Sequence, residues 1–517
     1  MAATANQELR VLRAAAPLEA RSAARHSLGI YFCIANTVTY RVSAAHLAGV
    51  LGSDGSLLEL FRTALLQVVL AQPFLRVGIS GQDTTSPDLV ALPELDLRHV
   101  VEEQELESVE DMHRDLEKSL QQPWPDQTRR PAWKVKLFRI PPEHDQVPDV
   151  YHISVSLTIH HTLSDGIGTG LFHEHLLHAL NHPDPNVVQT ITSIKDLGGG
   201  NHIVAMPDEI NLPLPQEAAL DFKMSLSFLA RTAWGMFAPA VLKNWNATPW
   251  TGKPHNPNVE RTHLRALKLG PEAAGRIIKA CRERNTTLTP LINTLLVASF
   301  ARRLAPDVAQ ALASSTPISL RPCVRKDVDF DPRAIGMYVT AYEQYFSPQT
   351  MEKMRDDEQV EGEMWRLAAE VRQGLSQRTE TLPNDDIAGL AGYVGDWQAM
   401  FRSGYGKPRS ATWEVSNIGA MDNGDEGAGE GGGWAMKSSL FSQSALVLGA
   451  ALGVNVAGVK GGDINVSFTW QDGIVDTQLI EGVRDDLERW MEGLGKDGEI
   501  PVSSSLDTGL DPRRGLR

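Results

Sequence analysis

The N-terminus of this 517-residue chain lacks a long apolar run. No secretory leader is evident, and the cytoplasm is the expected location. Cysteine is scarce and scattered, at Cys33, Cys281 and Cys323 only. A disulfide-stapled scaffold is thereby excluded, and a reduced chain is expected. Basic residues are in deficit, 49 Lys and Arg against 64 Asp and Glu, leaving a net charge of −15. Nucleic acid is excluded as the main partner. Neither His-Glu-x-x-His nor a cysteine pair occurs, so no metal centre is expected. Gly-x-Ser-x-Gly is missing, which removes the serine-elbow hydrolases. The glycine-rich loop at 423–433 is acidic and lacks Gly-Lys-Ser/Thr, so it is no phosphate loop; a mobile segment is expected there. The triplets at Asn246, Asn285 and Asn465 match glycosylation acceptors. Without a secretory route they are expected to stay unmodified.

What is present centres on His160-His161-Thr162-Leu163-Ser164-Asp165-Gly166. Residues 150–159 ahead of it are dense in β-branched side chains and read as a buried strand. A helical pattern follows near 168–180. Histidines at the carboxyl end of such a strand can point into a cleft. An imidazole titrates near pH ~6.5, so it can be neutral and accept a proton at working pH. Asp165 lies past a tight turn. It could ligate a metal, hold an imidazole tautomer, or turn away and lock the loop to an arginine. Gly166 allows a backbone angle or a close approach that a side chain would block. His173, His175 and His178 read as solvated helix residues.

The length calls for at least two domains. The expected boundaries are an N-terminal unit at 1–190, a linker at 191–260 and a C-terminal unit at 261–517. In the first unit, 6–27 and 44–70 read as helices, with Ser43 capping the second. Segments 30–42, 76–79, 97–100 and 133–140 read as strands, 109–120 as an exposed helix, and 141–149 as a loop. The linker holds an unusually apolar stretch at 216–245, broken by Lys223 and Arg231, so it does not span a membrane. A crossover helix packed on both units is the preferred reading; a peripheral, interfacial contact with lipid is the alternative. In the second unit, 263–269, 315–320, 411–417 and 464–468 read as strands. Residues 272–284, 289–304, 361–377 and 476–494 read as helices. Residues after about 500 are expected to fray. An echo links Ser156-Leu157-Thr158-Ile159 before Asp165-Gly166 with Ser467-Phe468-Thr469-Trp470 before Asp472-Gly473.

His160–Gly166 resembles the active-site motif of the acyl-CoA-dependent acyltransferases, the superfamily of chloramphenicol acetyltransferase, plant BAHD enzymes and peptide-synthetase condensation domains. The similarity is greatest to its fungal alcohol O-acetyltransferase branch. Leu12-Arg13, Leu18-Glu19, Arg25-His26 and Leu28-Gly29-Ile30-Tyr31 resemble that branch's opening. Gln72-Pro73-Phe74-Leu75-Arg76, Pro131-Ala132-Trp133-Lys134, Ser319-Leu320-Arg321-Pro322, Ser416-Asn417-Ile418-Gly419 and Phe468-Thr469-Trp470-Gln471-Asp472-Gly473 resemble later landmarks in order. The plant-type Asp-Phe-Gly-Trp-Gly is missing, so plant acceptor assignments do not carry over.

The resemblance implies an α/β fold of two chloramphenicol acetyltransferase-like subdomains, each a mixed sheet flanked by helices, with a tunnel between them. It implies an O-acyltransferase taking acetyl from acetyl-CoA, a co-substrate rather than a bound cofactor, to a hydroxyl of a small alcohol or secondary metabolite. His161 would be the general base and no acyl-enzyme would form. His160 would support it. Asp165 would turn away and pair with Arg321, pinning the two halves together, beside Gly166. Ser416 and Asn417 are candidate oxyanion or substrate donors; a turn capped by its own side chains is the competing reading. Arg302 and Arg303 read as a solvated helix end, and Trp470 as core. A monomer is expected. Two other functions stay open: acylation of an amine, or transfer from a carrier-protein thioester, and an inactive relative that only binds.

Overall fold

The computed structural model describes residues 9–52, 55–141, 149–196, 202–237, 247–258, 261–356, 359–423 and 433–502. The expectations for 142–148, for most of the 423–433 loop and for 503–517 lie outside the described residues. Two mixed sheets dominate. The first runs, in spatial order, Ala435–Gln443, Ile34–Ser43, Val150–Ile159, Trp133–Arg139, Val101–Glu105. Only its last pairing is parallel. The second runs Thr262–Leu269, Ile464–Gln471, Leu452–Val459, Trp413–Met421, Leu312–Ser319, Val339–Phe346. Its third and fourth pairings are parallel and the rest antiparallel. Helices flank both sheets, and each sheet has its own apolar core. This is the two-lobed α/β architecture expected from the motif.

The motif strand Val150–Ile159 sits in the interior of the first sheet, and its last seven residues, from Ile153, are buried. Continuous burial explains its weak alternation, because both faces meet apolar layers. One strand of this sheet comes from far along the chain. Ala435–Gln443 leaves the second half and pairs along Ile34–Ser43, with Ser439 Oγ–H donating to Asn36 Oδ1 at 2.8 Å across 403 residues. Phe441 and Trp434 enter the first sheet's core with it.

Several local expectations are corrected. Residues 6–27 are not one helix. Val11–Ala14 is a strand paired with Asp88–Ala91, and the helix begins at Pro17. Proline suits the first helical turn, where its missing N–H costs nothing, and Glu19 reaches back to accept the Ala16 N–H. Residues 44–70 divide into Ala44–Leu51 and Leu57–Ala71. Gly52, at φ +60°, ends the first and Ser56 caps the second. Ser43 does cap the Ala44–Leu51 helix. Leu97–Val100 is a helical turn capped by Asp96, not a strand. The Val109–Ser119 helix buries Met112 and Leu116, so only one face is solvated. In the linker, the Leu226–Phe237 helix leaves Leu226 85% and Trp234 57% accessible, while Leu229, Thr232 and Ala233 line a cavity between the sheets. Arg303 is no solvated helix end; it pairs with the fully buried Asp486. His173 is buried too, held between Tyr40 and the Asn36 carbonyl.

The exchanged strand yields a prediction. A fragment ending at residue 258 lacks Ala435–Gln443, which leaves the Ile34–Ser43 edge unpaired and apolar core open. It is expected to aggregate when expressed alone and to be recovered by co-expression with 261–517. Size-exclusion chromatography of both preparations checks this.

Candidate active site

The site starts where the motif strand ends. His160 N–H donates to the Ala132 carbonyl at 2.8 Å, the last rung before the chain turns. Leu163 N–H closes the turn onto the His160 carbonyl at 3.0 Å. Asp165 then caps the Gly166–Asn181 helix, its Oδ1 accepting the Gly168 N–H at 2.8 Å. In six residues, 160–165, the backbone passes from strand to turn to helix, and the two histidine rings leave in different directions.

His160 is 1% exposed and packs against His26 with ring centres 4.5 Å apart. Its Nδ1 accepts the Thr162 N–H at 3.0 Å, so the ring braces the turn. Burial drives its pKa well below the ordinary imidazole value. His161 lines a cavity of about 820 Å³ between the two sheets. Its Nδ1 lies 2.9 Å from the Ser164 carbonyl. A carbonyl only accepts, so Nδ1 carries the hydrogen and Nε2 of the neutral ring keeps its lone pair. Burial, with the Arg25 guanidinium nearby, pushes this imidazole's pKa down to about 3. The ring is therefore neutral across physiological pH.

Asp165 points away from that ring. Its Oδ2 accepts from Arg321 Nη1 at 2.5 Å and from the Tyr338 N–H at 3.0 Å. The pair is buried, with side chains 5% and 7% exposed. Arg321 also donates to the Gly336 carbonyl, which in turn accepts the Asp165 N–H. Of the readings open to Asp165, the geometry is that of a lock between lobes. Gly166 is needed for close approach rather than for an unusual backbone angle. A Cβ there would meet Ile418 Cγ2 at 2.7 Å and Phe441 Cζ at 3.1 Å. The helix start thus lies directly against strands from the other half.

Ser416 and Asn417 both line the cavity from the Trp413–Met421 strand. They differ in what is left for a ligand. Asn417 donates to Thr289 Oγ1 at 2.9 Å and accepts the Gly419 N–H at 2.8 Å, stabilising a bulge where the strand register shifts. The Ser416 hydroxyl makes no hydrogen bond to the described residues. Trp470 is fully buried core. Among the described residues no cluster of three or more His, Cys, Asp or Glu could hold a metal.

Among the cavity-wall residues that sequence reasoning did not assign to the site are Arg21, Arg25, Tyr31, Glu414 and Gln443. Arg25 lies 4.3 Å over the Tyr31 ring, which is 5.5 Å from the His161 ring. Tyr31 O–H donates to Gln443 Oε1 at 2.7 Å, and Gln443 Nε2 donates to Asn455. One signal was available. Like charges at i and i+4, as at 21 and 25, weaken an isolated helix and ask for a reason.

Comparisons with known proteins identify the family and the fold. A family model described as alcohol acetyltransferase matches residues 103–485. A probable alcohol acetyltransferase, FCK4 of Fusarium pseudograminearum (strain CS3096), is 37% identical over 498 residues, covering 96% of this chain and 98% of that protein. Among solved structures, the TRI3 trichothecene 15-O-acetyltransferase of Fusarium sporotrichioides superposes with a TM-score of 0.66 at 14% identity, covering 92% of this chain and 94% of that one. The first condensation domain of the CDA synthetase superposes with a TM-score of 0.54 at 13% identity, covering 97% and 99%. The last two establish likeness of fold.

The Asp165 lock gives a prediction. Removing one partner of a buried pair costs about 3–5 kcal/mol, because the other charge stays buried and alone. Asp165→Ala is expected to lower both thermal stability and turnover. Turnover abolished with an unchanged melting curve would remove the structural assignment.

Proposed function

The chain belongs to the alcohol acetyltransferase family and is an acyltransferase, and from that premise we propose that it moves acetyl from acetyl-CoA to a hydroxyl with His161 as general base. The observation that carries this is the His161 tautomer. Nδ1–H is committed to the Ser164 carbonyl, and the unprotonated Nε2 belongs to a ring on the cavity wall. An alcohol is a weak nucleophile at neutral pH, and a thioester is an activated donor. Nε2 takes the hydroxyl proton as the oxygen attacks the thioester carbonyl, giving a tetrahedral oxyanion and an imidazolium. Ser416 Oγ–H is the donor best free to meet that oxyanion. Collapse breaks the C–S bond, and the imidazolium returns its proton to the departing thiolate. Ester and free thiol are the products.

The cysteines support a direct transfer without an acyl-enzyme. Burial raises the Cys33 thiol to about 12 and the Cys281 thiol to about 11, so neither is a thiolate near neutrality. The wall also bears on the acceptor. A cavity of about 820 Å³ suits a drug-sized molecule rather than a two-carbon alcohol. Its rim carries Ile387, Tyr393 and Met400, all large, apolar and exposed. An acceptor with a substantial apolar body fits these features. The exposed Leu226 and Trp234 support peripheral contact of a cytoplasmic protein with lipid as part of the same reading.

Release of free thiol from acetyl-CoA with a panel of alcohols tests the reaction. His161→Ala is expected to lose about 10²- to 10⁴-fold in kcat with its fold intact, and His160→Ala to retain more. A fully active His161→Ala would end the proposal, and turnover confined to an acyl group loaded on a carrier protein would replace the donor. The pH profile is a second test. Because the folded pKa of His161 is depressed, the neutral base persists as pH falls and is lost only on approaching about 3. kcat/KM is expected to stay level from pH 7 to about 5, without the inflection near 6.5 of an unperturbed imidazole.

A further inference from the structure

Two cations line the cavity with no anion bonded to them. Arg21 and Arg25 lie one turn apart on the Pro17–Ser27 helix, and both guanidinium groups reach the wall that carries His161. Arg25 is only 8% exposed, and its Nε is buried without a hydrogen-bond partner. Neither guanidinium makes a hydrogen bond or an ion pair to the described residues. Their neighbours are aromatic faces: Tyr31 under Arg25, and Trp397 and Phe401 about 6 Å from Arg21. Among the described residues Glu414 is the one carboxylate whose charge is felt by both; it accepts from Gln443 Nε2 at 3.4 Å, and burial raises its pKa. Glu343, also on the wall, has no arginine partner among the described residues and is pushed toward its neutral form by burial.

Burying a guanidinium N–H without a hydrogen-bond partner is costly, as at Arg25 Nε; Arg21 is partly exposed. Cation–π contact recovers part of that cost, on the order of 0.5–2 kcal/mol. Two such groups, one turn apart and repelling each other, are a poor device for holding a helix in place. They are a good device for a planar anion, since a guanidinium fork matches a carboxylate. Arg25 also stands in file with the reacting group, arginine on tyrosine and tyrosine beside imidazole. Coenzyme phosphates are a poor match for this position, because the pantetheine arm holds them far from the thioester sulfur that must approach His161.

We propose that Arg21 and Arg25 form a carboxylate-recognition subsite, so that the enzyme acts on a substrate bearing a carboxylate close to the reacting hydroxyl or acyl carbon. This rests on the reading of the cavity as the acyl-transfer site. The shared chemistry is a carboxylate. Its source is either a hydroxy-acid acceptor or a dicarboxylic acyl group on the donor, and the experiment separates the two.

Calorimetric titration of the full chain with 4-(hydroxymethyl)benzoate and with its methyl ester reads the acceptor arm. Malonyl-CoA against acetyl-CoA reads the donor arm. In the wild type, one acid is expected to bind about 10- to 100-fold more tightly than its neutral counterpart, the range for hydrogen bonds to a charged group. Arg21→Met and Arg25→Met should each bring that ratio toward one, and Glu414→Gln, which removes the competing carboxylate, should widen it. Acid and neutral ligands binding alike in both arms would overturn the subsite, as would a preference that survives both arginine replacements. If those variants fail to fold, Glu414→Gln decides: an unchanged ratio counts against the proposal. Binding is independent of turnover. Equal binding with active thiol release sinks the subsite alone, whereas a preserved acid preference with no thiol release from any alcohol sinks the acyl-transfer reading alone.

Discussion

The structure depends on one buried charge pair. Asp165 and Arg321 meet at the seam between two lobes, one at the start of a helix and the other just after a strand of the opposite sheet. Neither charge would be tolerated there alone. Together they close a small circuit. Asp165 caps its own helix, accepts the Tyr338 N–H, and gives its N–H to a carbonyl that Arg321 also uses. Every polar group in the circuit has a partner except Arg321 Nε. The consequence for chemistry is indirect. The same turn presents the Ser164 carbonyl to His161, so the pair fixes the direction of a ring it does not touch.

That division of labour resolves the seven-residue motif. Two of its members brace the turn: His160 by accepting a backbone N–H, Gly166 by leaving no side chain between helix and opposing strands. Asp165 locks. Only His161 faces the cavity with a free lone pair. Carboxylate and imidazole four residues apart suggest a relay, but the geometry replaces the carboxylate with a main-chain carbonyl. A carbonyl fixes the tautomer without adding a full negative charge, which leaves the ring's basicity under the control of burial and of nearby arginines.

Much of this was legible in the sequence, for physical reasons that can be named. The motif strand was readable because continuous β-branched burial has no helical alternative of that length, and Ser43 because a cap is a local event. The pairing of Asp165 with Arg321 was available only through resemblance, since nothing local connects residues 156 positions apart. What escaped detection depended on distant partners. Leu452–Val459 is buried throughout, so its glycine and alanine positions carry no alternation to read. Ala435–Gln443 takes its meaning from a strand near the other end of the chain. The break at Gly52 and the strand at Val11–Ala14 were hidden because apolar and alanine-rich composition favours a long helix until one backbone angle or one proline interrupts it. The arginines of the cavity wall escaped because helical spacing alone cannot tell a solvated face from one turned inward.

The strand that Ala435–Gln443 lends to the first sheet also orders events in time. Ile34–Ser43 leaves the ribosome early, yet the neighbour that completes its edge is made some 400 residues later. At bacterial or eukaryotic elongation rates of about 5–20 residues per second, that is an interval of tens of seconds with half a β-edge waiting. The N-terminal lobe cannot mature as an independent unit during synthesis, and the reactive turn cannot be locked before Arg321 arrives. Nascent chains therefore carry a built-in delay between making the histidine and making the pocket around it.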